Sequence, residues 1–351
     1  MALPDGLWLV MDACTTGYGQ ANLTKALLDH LEVPRLDLLV LSHPDADHVL
    51  GMADLIGDPE RPVRRLWRYP GMVRDLVAKV TNKTQAPSLE PLGNALKRID
   101  DVVRSAGEDF DVDEVRTRAR WDVGDRDYEV VALAPTSYDA FRMERQYETL
   151  VNLDDPNAGW EASERFVRAL AGERPWSDHP NTVSLGVSIA WGDVRLVLSG
   201  DIEDEAKHRK AGWKGVLRAL QGCGGEPDRT YLLEGAALVK VAHHGSTEAQ
   251  SSDAWKQHTA SGKVPIAAIA PYSNSHLPTD TVLQDLRARA AALLLTAADA
   301  GGAGTRANAN GWANATASPR KLAATAPVAA IAFNQSGPLS VDLGGPAQLY
   351  V

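Results

Sequence analysis

The sequence predicts a mixed α/β fold, and three observations carry that reading. Leu38 to Leu41 is an apolar run without helical spacing, the mark of a strand buried on both faces. The stretch from Leu7 to Leu41 alternates strand, helix and strand. A chain of 351 residues with 44% apolar content can bury a large core. Length alone suggests two domains, but an α/β enzyme of this size is often one domain with insertions, and a single domain over 1–351 is the expectation.

Taken in order, Leu7 to Met11 (LWLVM) reads as a buried strand, followed by Asp12 and a turn over Thr15 to Gly19. Ala21 to Glu32 has the spacing of an amphipathic helix, with Leu23, Ala26, Leu27 and Leu31 on one face. Pro34 closes the connection to the Leu38 strand. Beyond that strand Val49, Met52, Ala53 and Ile56 recur at helical spacing. Val63 to Tyr69 (VRRLWRY) reads as a strand with Arg64, Arg65 and Arg68 interleaved with Trp67 and Tyr69. That is either a nucleic-acid grip or an ordinary strand with exposed arginines. Met72 to Ser105 is helical in pattern, with breaks expected at Pro87 and Pro91. Trp121 to Pro135 returns to strands with a Gly124-Asp125 turn. Ser137 to Arg174 is helical and charged, breaking at Asp155-Pro156-Asn157. The segments 72–120 and 137–178 are therefore expected as helical insertions. Val183 to Ala190 and Val194 to Leu198 form a hairpin about Gly192-Asp193. Leu238 onward and Ile266 to Ala270 read as buried strands. Thr279 caps a helix through Ala292, residues 301–318 form a flexible Ala/Gly/Asn/Thr-rich loop, and Val328 to Val351 supplies closing strands.

Composition narrows the function. A net charge of −10 argues against a broad nonspecific nucleic-acid surface while leaving room for a local basic groove. Two cysteines, Cys14 and Cys223, cannot build a disulfide framework. No apolar run approaches the ~20 residues that span a bilayer, and Asp5 and Asp12 interrupt any signal-peptide pattern. A cytoplasmic protein without a membrane partner is expected.

The chemistry concentrates where the Leu38 strand ends. Ser-His-Pro-Asp-Ala-Asp-His places His43, Asp45, Asp47 and His48 within six positions on a strand-to-helix loop. Asp45 and Asp47 taken singly are plausible helix caps and His48 a solvated first-turn residue. Four N and O donors this close together fit a cation site better, because without a cation the carboxylates would repel. Downstream, Leu238 to Ser246 (LVKVAHHGS) runs from a strand into His243-His244-Gly245-Ser246, whose imidazole N–H groups, hydroxyl and backbone amides suit an anion such as phosphate.

The SHPDADH segment resembles the HxHxDH metal motif of the metallo-β-lactamase fold hydrolases, with Asp45 where most of that superfamily has histidine. That change resembles the branch containing the hydrolase domain of ComEC, a DNA-uptake protein. A stand-alone soluble form of that domain, without the membrane channel, is the expectation. Further segments follow in the order of that branch: Asn181, Ser184 and Leu185, then Gly200-Asp201, then His243 to Ser246, then Tyr272 to Pro278 with His276. Two departures stand out. Ser275 and Leu277 flank His276 where the family has Gly-His-Pro. The usual opening strand and GQGD-like turn are missing, so either the sheet is trimmed or the start lies upstream.

The resemblance implies a four-layer αββα sandwich and two divalent ions, Mn or Zn and possibly Mg. His43, Asp45 and Asp201 would hold one ion, with either His179 or Asn181 nearby. Asp47, His48, Asp201 and His276 would hold the other. A hydroxide bridging the ions would attack phosphorus, with Asp47 in the catalytic centre. His244 would bind substrate or act as general acid, and His243, Ser246 and Asn181 would bind substrate. The replacement of histidine by Asp45 adds a hard oxygen donor and shifts preference toward manganese or magnesium. The expectation is a phosphodiesterase or nuclease acting on a phosphodiester, with single-stranded or short DNA as the nucleic-acid case. The alternatives are an acyl ester, lactone or thioester hydrolase of the same fold, or a non-catalytic binding module. Oligomeric state is not legible.

Overall fold

The structure, a computed structural model, describes residues 1–3, 6–13, 22–69, 74–105, 110–122, 124, 127–151, 160–173, 180–204, 210–222, 227–271, 277–295, 328–334, 337–344 and 348–350. The chain is mixed α/β and divides into two compact units, one of residues 1–116 and 137–185, the other of 117–136 and 186–351.

In the first unit a four-stranded sheet runs Leu9–Met11, Leu38–Leu41, Arg65–Arg68, Asp111–Glu114, all parallel. The central Leu38–Leu41 strand is buried at every position, as its unbroken apolar run requires. The helix expected over 21–32 forms at Leu23–His30, where Asn22 accepts a capping bond from the Lys25 N–H at 3.0 Å. The helical stretch after the metal loop is two short helices, Ala46–Val49 and Met52–Ile56, parted at Gly51. Gly51 is required there: its N–H donates to the Ala13 carbonyl at 2.9 Å, and a Cβ would collide with that carbonyl. The Asn22 amide donates to Gly51 O at 2.7 Å and completes the lock.

The segment 72–105 forms helices Arg74–Thr84 and Glu90–Ser105. Pro91 does not break the second helix. It sits in its first turn, where a missing N–H costs nothing. Helices Ser137–Val151 and Trp160–Leu170 follow. All four bury apolar faces in one core with the sheet, through Leu76, Val77, Leu92, Ile99, Met143 and Phe166 among others. The Arg-aromatic segment has the features of the ordinary-strand reading. Trp67 and Tyr69 are buried, Arg65 pairs with Asp111 at 2.5 Å, and Arg68 pairs with Glu114 at 2.8 Å. Asp111 and Glu114 belong to an edge strand that the pattern of residues 105–120 did not disclose.

In the second unit an eight-stranded sheet runs Gln348–Tyr350, Ala292–Leu295, Ile266–Ile269, Leu238–Lys240, Val194–Leu198, Gly186–Trp191, Tyr128–Ala134, Arg120–Trp121. Four consecutive strands, from Ala292–Leu295 to Val194–Leu198, are parallel, and the remaining pairings are antiparallel. The hairpin about Gly192-Asp193 forms as expected, but its first strand begins at Gly186, because Pro180–Val183 is a 3₁₀ turn. The Thr279-capped helix ends at Arg289, and Ala292–Leu295 turns back as a strand. Helix Gly212–Gln221 packs Trp213, Val216 and Leu220 into this unit's core. Closing strands form at Val328–Asn334, Gly337–Gly344 and Gln348–Tyr350. The 301–318 loop lies outside the described residues. No helix among the described residues is long and apolar enough to cross a membrane.

Two expectations follow. Gly51→Ala must push the Met52–Ile56 helix off the Ala13 backbone and should lower stability by about 1–3 kcal/mol in chemical denaturation. The second concerns His258, buried edge-on to Trp213 and Trp255 with Nδ1 donating to Leu233 O at 3.2 Å. Burial lowers its imidazole from 6.5 to about 4, against a small opposing effect of that bond. The unfolded chain therefore takes up this proton first. The contribution is complete above pH 6.5 and is lost as pH falls toward 4, by roughly 3 kcal/mol. Urea titrations from pH 7 to 4 should show a shallower slope in His258→Phe than in wild type.

Candidate metal centre

In a parallel sheet the loops leaving the carboxyl ends of the strands are where functional groups gather. In the first unit the chain leaves Leu38–Leu41 through Ser42, His43, Pro44 and Asp45, beside the end of Leu9–Met11, where Asp12 sits. Asp12 adopts a left-handed φ of 56° and its N–H donates to Val40 O at 2.8 Å, tying the two strand ends together.

The Asp12 carboxylate accepts three donors from the neighbouring loop. Oδ1 takes the Ser42 N–H at 2.8 Å, and Oδ2 takes the Ser42 hydroxyl at 2.7 Å and His48 Nδ1 at 2.8 Å. Since a carboxylate only accepts, this assigns the His48 proton to Nδ1 and leaves a lone pair on Nε2. The same logic reaches His43. Ser42 spends its proton on Asp12, so its oxygen accepts from His43 Nδ1 at 2.9 Å, and His43 also presents Nε2 as a lone pair. The two rings lie 4.1 Å apart between centroids, with ligand nitrogens within 4.8 Å of one another. Burial pushes the Asp12 carboxyl up. The positive charge that His48 and His43 carry when protonated, with the hydrogen bonds from His48 and Ser42, outweighs it and holds the group below the usual carboxylate range.

The Nε2 atoms face carboxylates. His43 Nε2 is 3.5 Å from Asp45 Oδ2, and His48 Nε2 is 3.5 Å from Asp47 Oδ2. Neither is a hydrogen bond. Two donors sharing one ion at about 2.1 Å each lie roughly 3–3.5 Å apart, so the spacing suits an ion better than a direct contact. Asp45 occupies the N-cap position of Ala46–Val49, yet its side chain makes no capping bond. Its Oδ1 is buried without a hydrogen-bond partner among the described residues. His48 is buried and so is not a solvated first-turn residue, and Asp45 does not act as a side-chain cap. The donor set therefore fits a divalent cation.

The Asn181-Ser184-Leu185 segment packs against this loop. Leu185 N–H donates to Ser42 O at 2.9 Å and the Ser184 hydroxyl lies 3.4 Å from His43 Nδ1. Asn181 is buried in the 3₁₀ turn. His179 and His276 lie outside the described residues.

In the second unit three adjacent parallel strands end together, after Leu198, Lys240 and Ile269. Asp201 follows the first and is 2% exposed. His243 and His244 follow the second. His244 Nδ1 donates to Ala270 O at 2.8 Å, beyond the third, which leaves Nε2 as the lone pair, 3.7 Å from Asp201 Oδ2. His243 Nδ1 lies 3.0 Å from Glu203 Oε1 and 3.2 Å from the Ser246 hydroxyl, and Ser246 is buried. His243, His244 and Gly245 have φ of 44°, 52° and 76°, a run of left-handed residues. For two histidines this costs on the order of 1 kcal/mol each or more. Gly245 is held to glycine, since a Cβ would lie 2.8 Å from Pro278 Cβ.

No protein-family model matches this chain, and no curated protein matches it.

Asp12, Ser42 and Glu203 were not singled out as site residues from the sequence. The available signal was an aspartate closing the strand that precedes the metal loop; its pairing with His48 spans 36 positions and is set by strand register. Asp12→Asn replaces one acceptor by a donor facing Ser42 or His48. It should weaken Mn²⁺ binding by about 10- to 100-fold in calorimetry. Unchanged affinity would remove Asp12 from the orienting role.

Proposed function

We propose that this protein is a metal-dependent phosphodiesterase of the metallo-β-lactamase type, built as a four-layer αββα sandwich and related to the ComEC hydrolase domain. The observation that carries the reading is the pair His43 and His48, each fixed with its proton on Nδ1 and its Nε2 facing a carboxylate at 3.5 Å. Histidines that ligate metals are oriented in this way by carboxylates and hydroxyls behind them.

His43, Asp45, Asp47 and His48 are the proposed ligands in the first unit. The sequence resemblance implies Asp201 as a further ligand. The setting of His244 favours a place among the ligands over the phosphate-facing place read from the sequence, because its Nδ1–H is spent on a carbonyl and its Nε2 faces Asp201. His243, braced by Glu203 and Ser246, stiffens the loop that carries His244. When bound, divalent ions supply Lewis-acid activation of water and neutralise charge on a phosphoryl group. Asp45 in place of a histidine raises the aspartates to three of the six proposed ligands, and each added hard oxygen donor shifts the set toward manganese or magnesium.

The test is hydrolysis of bis-p-nitrophenyl phosphate and of labelled single- and double-stranded DNA by metal-stripped protein with Mn²⁺, Mg²⁺ or Zn²⁺ restored. Manganese should restore cleavage, and Asp47→Ala and His48→Ala should each lower it at least 100-fold. Protein that binds ions but cleaves no phosphodiester would turn the reading toward acyl ester, lactone or thioester hydrolysis.

A further inference from the structure

Lys240 closes the Leu238–Lys240 strand, between Leu198 and Ala268 of its two parallel neighbours. A lysine in the middle of a sheet is unfavourable unless its ammonium finds partners. Two are present on the adjacent loop. Nζ donates to Gly200 O at 2.7 Å and to Asp201 Oδ1 at 3.2 Å. Asp201 is itself a carboxylate with a side chain only 3% exposed. Its two oxygens are thus divided, with Oδ1 on the ammonium and Oδ2 on the side of His244 Nε2, 3.7 Å away. His244 is held in turn by Ala270 O.

We propose that Lys240 is a positioning residue that fixes the Asp201 carboxylate so that Oδ2 alone is offered to a cation beside His244. The inference rests on the metal-centre reading above. It adds an assignment to that reading: the ammonium engages Oδ1 and sets the rotation of the carboxylate. A lysine serving only to neutralise a buried aspartate would affect folding and leave ion affinity of the folded protein untouched.

The experiment measures Mn²⁺ binding to the full chain by calorimetry and apo thermal stability, for wild type, Lys240→Met, Lys240→Gln and Lys240→Arg. Lys240→Gln keeps a donor for Gly200 O and guards against simple unfolding. Both neutral variants should weaken Mn²⁺ binding about tenfold or more, with Lys240→Arg restoring most of it. Affinity that is unchanged or tighter in a folded neutral variant, with wild type binding normally, would overturn the role of Lys240 and leave the metal centre standing. Wild type that binds no Mn²⁺ would overturn the metal centre and this inference with it.

Discussion

The Asp12 carboxylate is the constraint on which the candidate site depends. It sits at the end of one strand and takes every donor that the loop from the next strand offers it: the Ser42 amide, the Ser42 hydroxyl and His48 Nδ1. Those three bonds determine where the protons of two histidines reside, and therefore which nitrogens remain as lone pairs. The arrangement exists only because Leu9–Met11 and Leu38–Leu41 are parallel neighbours in register, with Met11 opposite Val40. Gly51 and Asn22 fasten the far side of the same loop to the same strand end. Packing, register and protonation are one problem here.

The second unit solves a similar problem with a different device. Its chemistry-bearing residues also follow the carboxyl ends of parallel strands, but they are held by backbone carbonyls and strained dihedrals. Ala270 O and Gly200 O take the donors of His244 and Lys240, and the left-handed run through His243, His244 and Gly245 turns the chain sharply after its strand. Strain of this kind persists only where the surroundings over-determine it. Pro278, against the only face on which a Cβ could stand at Gly245, is one such determinant.

Much of this was legible in the sequence, and the limits have physical causes. The Leu38–Leu41 strand, the cluster that follows it, the hairpin about Gly192-Asp193 and the Thr279 cap are local features, written in periodicity and turn chemistry within a dozen residues. The partners of Arg65 and Arg68 were not legible. Asp111 and Glu114 lie on a strand 46 positions away, and a short charged edge strand has no apolar alternation to announce it. Pro91 misled for a related reason: proline reads as a breaker unless the helix start is known. The roles of Asp12 and Lys240 likewise depend on which strands are neighbours, which single-sequence patterns do not encode. His179, His276 and the 301–318 loop lie outside the described residues.

The central claim is that His43 and His48 present Nε2 to a divalent cation, and anomalous diffraction from a Mn²⁺-soaked crystal tests it most directly. The account predicts an anomalous peak at bonding distance from the Nε2 atom of at least one of these histidines, with Asp45 or Asp47 completing its coordination. Ordered density for both rings with no peak at either Nε2, at Mn²⁺ concentrations that saturate binding in solution, would contradict it.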